Sequence, residues 1–238
     1  MNTLVLTSCN RIEQVLLAIA VNKDVIKDPF NLIIVDCSTP NLSVKDAITM
    51  HISDDPHNLV DNNTYCSNWE LLEPYIKTIP KIISYKIIHI SPRMNKQMGD
   101  SYLSALGIIS STLMNSNYVL KLTGVCQLKY DVFSKFENHL HFADVITWKR
   151  SGFDNQLSTR IFMGNSQNLA IALIKAGYSE WIYDYDFLEF KFEKIVNKYL
   201  KHYHTKFNES NVLVDEGFGK TCEREIILSE LKKHKILI

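Results

Sequence analysis

No run in this 238-residue chain approaches the roughly 20 apolar residues that a membrane-crossing helix needs, and the opening MNTLVLTSCNR lacks a basic stretch followed by a long apolar one. Neither a transmembrane segment nor a secretory leader is expected, and any membrane contact would be peripheral. Charge of one sign is also missing, since 26 Lys and Arg balance 26 Asp and Glu. Without a basic field, no nucleic-acid partner is expected. The five cysteines (Cys9, Cys37, Cys66, Cys126, Cys222) are odd in number and scattered, with no CxxC pair and no Cys/His spacing suited to zinc. Reduced thiols in a cytoplasmic protein are the economical reading. No GxGxxG follows the first strand and no GxxxxGK[ST] occurs, so dinucleotide and P-loop readings lack their phosphate cradle. A G-x-S-x-G elbow and an HExxH pair are absent too, and His202 and His204 read as decoration of a solvated helix end.

What the chain does have is alternation of short apolar runs with helical periodicity. Its length suits one large α/β domain, and 46% hydrophobic residues can build a sizeable core. Leu4-Val5-Leu6 reads as a buried strand ending at Thr7-Ser8-Cys9-Asn10. A helix through Ile12, Val15, Leu16 and Ile19 follows, with Asn10 as N-cap and Glu13 as its capping-box partner. Asn31 to Asp36 is a second strand, completing the strand, helix, strand unit of a parallel sheet. Residues 40–68 read as an irregular excursion, Trp69 to Ile79 as a helix closed by Pro80, and Ser84 to Ile90 as a third strand.

A helix from Asp100 to Met114, with Leu103, Leu106, Ile109 and Leu113 as its apolar stripe, leads to a fourth strand, Tyr118 to Leu120, that ends on Lys121 and a Thr123-Gly124 turn. Further on, the periodicity predicts a helix over 131–142, strands over 144–148 and 159–163 joined as an antiparallel excursion, and a helix from Asn165 to a C′ Gly177. A long helix over 186–204, a short strand over 211–215 and a terminal helix over 223–233 complete the reading. The sheet is therefore expected to be mixed but mostly parallel, flanked by helices.

Three strand ends carry polar groups on one side of this sheet: Thr7-Ser8-Cys9, Asp36 with Ser38, and Lys121 with Thr123. In open α/β sheets ligands bind beyond the carboxyl ends of the strands, so these residues describe a polar crevice. An ionised carboxylate such as Asp36 accepts from a ribose hydroxyl or a base N–H, and a lysine suits a phosphate.

A strand ending T-S-C-N-R, a helix, then a strand ending V-D-C-S-T resembles the opening of the GT-A-fold nucleotide-sugar glycosyltransferases. The Asn95 to Gly99 turn, the helix rich in small residues and the strand Tyr118-Val-Leu-Lys-Leu-Thr-Gly124 are similar to the middle of that fold, and to a subgroup of bacterial and viral surface-glycan transferases with a K-x-T-G-R segment. The resemblance covers roughly residues 3–125. It implies a single GT-A-like (Rossmann-like) domain over 1–238, with a nucleotide-binding half (1–125) and an acceptor-side half (126–238).

The resemblance further implies a nucleotide-sugar donor and a glycan or lipid-linked acceptor. Thr7, Ser8, Cys9, Arg11, Asp36 and Ser38 would line the base and ribose pocket, and Asn95, Lys96 and Gly99 would approach the sugar diphosphate. In the common pattern the fourth strand leads to a D-x-D that holds Mn or Mg against the diphosphate. Here Lys121-Leu-Thr-Gly-Val125 stands instead, with Val125 even where the subgroup has Arg. The expectation is that Lys121, with Arg160 or Lys96, supplies the positive charge by side chain in a site that Thr123 and Gly124 also line, and that no metal is needed. Asp186, Glu189 and Glu216 are the candidate catalytic carboxylates. Asp184-Tyr-Asp186 spells D-x-D but opens a predicted helix, where acids cap. The alternatives are a non-catalytic nucleotide-sugar binding or scaffold protein, which the missing D-x-D keeps open, and a sugar nucleotidyltransferase, disfavoured because no Gly/Lys/Arg-rich phosphate loop follows the first strand.

Overall fold

In the computed structural model the described residues are 1–8, 12–37, 69–90, 96–152, 156–181, 188–214 and 224–236, with backbone alone at 69, 96–100, 178–181, 188 and 224. Seven strands form one sheet: β1 (Asn2–Ser8), β2 (Phe30–Asp36), β3 (Ile82–His89), β4 (Tyr118–Thr123), β5 (Val145–Lys149), β6 (Leu157–Asn165) and β7 (His202–Asn208). Their order is β3-β2-β1-β4-β6-β5-β7. The first four are mutually parallel, β6 runs antiparallel to β4 and β5, and β7 is parallel to β5. The mixed sheet expected from the sequence is present. One rim thus gathers the carboxyl ends of six strands and the amino end of β6.

Among the described residues seven helices cover the two faces: α1 (Ile12–Val25), α2 (Leu72–Ile76), α3 (Lys96–Thr112), α4 (Val132–Phe136), α5 (Ser166–Trp181), α6 (Leu188–Tyr199) and α7 (Arg224–Lys233). Alternation along the strands divides the core in two. Leu4, Leu6, Leu32 and Ile34 pack with Leu16 of α1, Phe133 of α4 and Ile227 of α7. On the other face Val5, Ile33 and Val35 pack with Ile108 of α3, Leu173 of α5 and Phe192 of α6. The branched run of β2 is buried throughout because helices cover both its faces, whereas the edge strand β7 is largely exposed.

The stripe expected on α3 holds in part: Leu103 is buried and Leu106 and Ile109 pack against the core, but Leu113 does not. Leu113 is 73% exposed, and Leu106 and Ile109 are only partly buried. The fully buried positions include Ser101, Ser104, Ala105, Gly107, Ile108 and Ser111. A Cβ on Gly107 would lie 2.4 Å from Val5 Cγ1, so small residues let the helix settle onto the sheet where leucines could not.

Four further expectations are corrected. The helix expected over 69–79 is a 3₁₀ turn (Trp69–Leu71) followed by α2, which admits Pro74 in its first turn and ends at Ile76. Asp131 caps α4 by accepting from Ser134 N (3.3 Å), but the chain then tightens to 3₁₀ over Glu137–His141. The long helix expected to reach His204 stops at Tyr199, because His-Tyr-His-Thr-Lys-Phe pairs with β5 as β7. His202 and His204 therefore sit on an edge strand, their rings 4.2 Å apart, with His204 Nδ1 2.5 Å from Thr147 Oγ1. The strand expected over 211–215 is replaced by a 3₁₀ turn (Glu209–Asn211) and a single bridge between Leu128 and Leu213. Gly177, with φ of 67°, does interrupt α5 as its place in the sequence indicates.

Candidate functional site at the carboxyl rim of the sheet

Pairing register fixes which side chains share a row. Ser8 lies opposite Asp36, and Asp36 opposite His89, so the last residues of β1, β2 and β3 form one line on the α1 face. Asp36 is fully buried, and its Oδ2 lies 3.2 Å from His89 Nδ1. Cys37 N donates to Ser8 O (3.0 Å) and Ile90 N to Asp36 O (2.9 Å), which continues the ladder to the rim. Ser8 Oγ is buried and has no hydrogen-bond partner among the described residues.

The neighbouring row faces the other way. Thr7 pairs with Thr123 and Val5 with Lys121, so these side chains point toward α3 and α6. Lys121 is not beyond the strand end, as the sequence led us to expect, but inside β4 and fully buried. Its Nζ donates to Thr159 O (2.6 Å) and Thr123 Oγ1 (3.3 Å) and lies 6.0 Å from the Phe162 ring centroid. Phe162 in turn stacks on Phe192 at 4.4 Å, which ties β6 to α6. No carboxylate pairs with Lys121 among the described residues. Gly124 N donates to Thr7 O (2.7 Å) and closes the β4 end against β1.

From Lys121 the contacts run outward. Thr159 Oγ1 donates to Glu189 Oε1 (3.4 Å), and Arg150 Nη1 lies 3.1 Å from the same oxygen. Glu189, in the first turn of α6, thereby joins α6, β6 and the end of β5. Arg160 does not stand open to the crevice, since its Nη1 is 3.5 Å from Glu209 Oε1. Glu209 is buried, accepts from Ser158 Oγ, and receives Ser151 N at 3.4 Å. Cys126 lies close enough to feel these charges. Burial pushes its thiol up, and the Arg160 and Lys121 cations offset that only in part.

Thr7, Lys121, Thr123, Gly124, Glu189 and Arg160 thus belong to one connected patch of the rim. Ser8 and Asp36 adjoin it through β1, on the opposite face. Lys96 and Gly99 stand in the first turn of α3, a helix that begins four residues earlier than the sequence suggests, so they are helical and not part of a turn. Cys9, Arg11, Ser38, Asn95, Asp186 and Glu216 lie outside the described residues, as do the Asp54-Asp55 pair, Asp184 and the proposed Asn10 cap. Sequence reasoning missed His89, Arg150, Thr159 and Glu209. His89 alone had a readable signal, the last residue of a strand flanking Asp36.

No protein-family model and no curated protein matches the chain. Solved structures do match it. S. aureus TarS superposes with a TM-score of 0.51 at 12% identity, over 98% of this chain and 42% of that one. S. aureus TarS 1–349 gives 0.50 at 12% identity, over 97% and 65%. The glycosyltransferase GlyE in Streptococcus pneumoniae TIGR4 gives 0.50 at 8% identity, over 86% and 45%. The chain spans less than two thirds of the length of each. What they share with it is the fold, and the GT-A-like architecture implied by the sequence is the one observed.

Proposed function

We propose that the chain is a nucleotide-sugar-dependent glycosyltransferase that passes a sugar to a glycan or lipid-linked acceptor without a bound metal. The observation that carries this reading is the buried ammonium of Lys121 at the carboxyl rim, held by a carbonyl and a hydroxyl and by no carboxylate among the described residues. Burying an uncompensated cation costs several kcal/mol (~3–5), a cost that an anionic ligand at the rim offsets. Because Thr123 Oγ1 accepts from Lys121, its own proton is left to donate outward, toward the oxygens of a diphosphate. The cation therefore acts from beneath the site, through its field and through Thr123.

An ammonium at this position also repels a divalent ion, so Lys121 and Thr123 do not fit the metal that a D-x-D would hold. Asp36 and the Ser8 hydroxyl, which has no partner among the described residues, suit the hydrogen-bonding edges of a base or ribose. Glu189, Asp186 and Glu216 are the candidate bases, with Glu189 also bracing α6 through Arg150.

The test is release of free nucleoside diphosphate from a panel of nucleotide sugars, measured in excess chelator and again with manganese or magnesium. Release unaffected by chelator is expected. Release that disappears in chelator and returns with the ion would overturn the metal-free mechanism. Pyrophosphate release would indicate nucleotidyl transfer, and binding with neither product would indicate a non-catalytic binding protein.

A further inference from the structure

The opposite rim of the sheet carries a second cleft. It encloses about 660 Å³ between the end of α1, α2 and the turn that closes α7. That volume falls within the range of small-molecule sites, roughly 300–1,000 Å³. Its walls include Leu71, Pro74, Ile79, Pro80 and Ile236, so most of a hydrocarbon or aromatic body could be buried there.

The polar groups of the cleft are mostly donors. Lys81 Nζ is fixed by the carbonyls of Lys23 (3.1 Å) and Ile26 (2.8 Å). An ammonium has three protons, so one is left, and no carboxylate neutralises Lys81 among the described residues. The acid lining the cleft, Asp24, is engaged by Lys23 at 2.8 Å. Tyr75 adds a buried hydroxyl with no hydrogen-bond partner among the described residues. Burial, reinforced by the Asp24 charge, pushes that phenol up to about 12, so it stays a donor.

Lys235 supplies an independent sign. It closes α7 with φ of 58°, the left-handed conformation that glycine normally takes at this place. The turn is a regular one, with Lys235 N donating to Lys232 O and Ile236 N to Leu231 O, both at 2.9 Å. A strained lysine kept where glycine would be easier puts a cation at the cleft mouth, and strain of this kind concentrates at ligand sites.

We infer that this cleft binds an amphipathic anion, an alkyl or aryl body bearing a carboxylate or phosphate, with the body against Leu71, Pro74 and Ile79 and the head on Lys81, Lys235 and Tyr75. The site lies at the amino ends of the strands, so it is separate from the sugar-transfer site and does not depend on that reading.

Calorimetric titration of the whole chain with decyl phosphate below its micelle concentration tests the assignment, with decyl maltoside and inorganic phosphate as comparisons. One-to-one binding of decyl phosphate is expected, at least tenfold tighter than either comparison. Lys235→Gly should weaken it about tenfold, the loss of one charge-assisted hydrogen bond, while leaving the melting temperature unchanged or raised, because the strain is relieved. Tyr75→Phe should weaken it as well. Equal binding of the neutral detergent or of phosphate alone, or unaltered affinity in both variants, overturns the assignment. Sedimentation with phosphatidylglycerol vesicles but not phosphatidylcholine vesicles would identify the source as a bilayer lipid. Failure to sediment alongside decyl phosphate binding would identify a free molecule, and both satisfy the proposal.

Discussion

Replacing Gly124 by alanine sets two well-understood effects against each other. Gly124 is not in the left-handed region, so an alanine fits its backbone and, by restricting the unfolded chain, would on that ground stabilise by about 0.4–1 kcal/mol. The folded state opposes it. A Cβ there would lie 2.7 Å from Thr7 O and 3.0 Å from Val15 Cγ2. Thr7 O is backbone and already accepts from Gly124 N, so relief requires the β1 and β4 ends to part. Overpacking of this kind costs about 1–3 kcal/mol, and the strained hydrogen bond roughly 0.5–1.5 more. The net expectation is destabilisation of about 1–3 kcal/mol, or roughly 3–10 °C in melting temperature for a chain of this size.

Urea unfolding followed by circular dichroism reads the change as a lower midpoint. Because the clash is with main chain, trimming the neighbour with Val15→Ala should not restore it. Gly152→Ala is the control: φ there is 79° with nothing within 4 Å, so only backbone strain of about 1 kcal/mol applies. A Gly124→Ala protein as stable as the parent would refute the close approach of β1 and β4 at this rim.

Lys121→Met keeps the shape of the buried side chain and removes its charge. Its melting temperature is expected to be unchanged or raised, since exchanging a buried ion for an apolar isostere is often neutral or stabilising, while nucleoside diphosphate release falls at least about tenfold. Undiminished release would remove Lys121 from the mechanism. His204 gives a pH prediction. Burial, and then the His202 charge, lowers its pKa from the ordinary 6.5, so below that pH the unfolded chain takes up a proton that the native chain resists. Thermal stability should be fullest above pH 6.5 and decline as the pH falls below it, and His204→Asn should flatten the decline; an identical slope in the variant would count against it.

The parallel core was legible because its residues are locally consistent. Leu-Val-Leu and Leu-Ile-Ile-Val are short branched runs that suit strands buried on both faces, and each is followed by turn-forming polar residues. The second half was harder to read. His202 to Phe207 continues the polarity of the preceding helix, and only pairing with β5, remote in sequence, makes it a strand. The same holds for the rim. Asp36 at the end of β2 could be placed from the sequence, but the Thr159, Glu189 and Arg150 contacts depend on how β6 meets α6. Lys121, singled out from the sequence, lies deeper than expected, because β4 runs three residues further than its apolar core.

The seating of α3 on serines, an alanine and a glycine bears on which substitutions that layer admits. A layer held by close approach tolerates neither larger nor bulkier substitutes, whereas the outward Leu113 is free to drift. The distance between this helix and β1 is thus fixed by its smallest side chains, with Leu103 and Ile108 filling the space beside them.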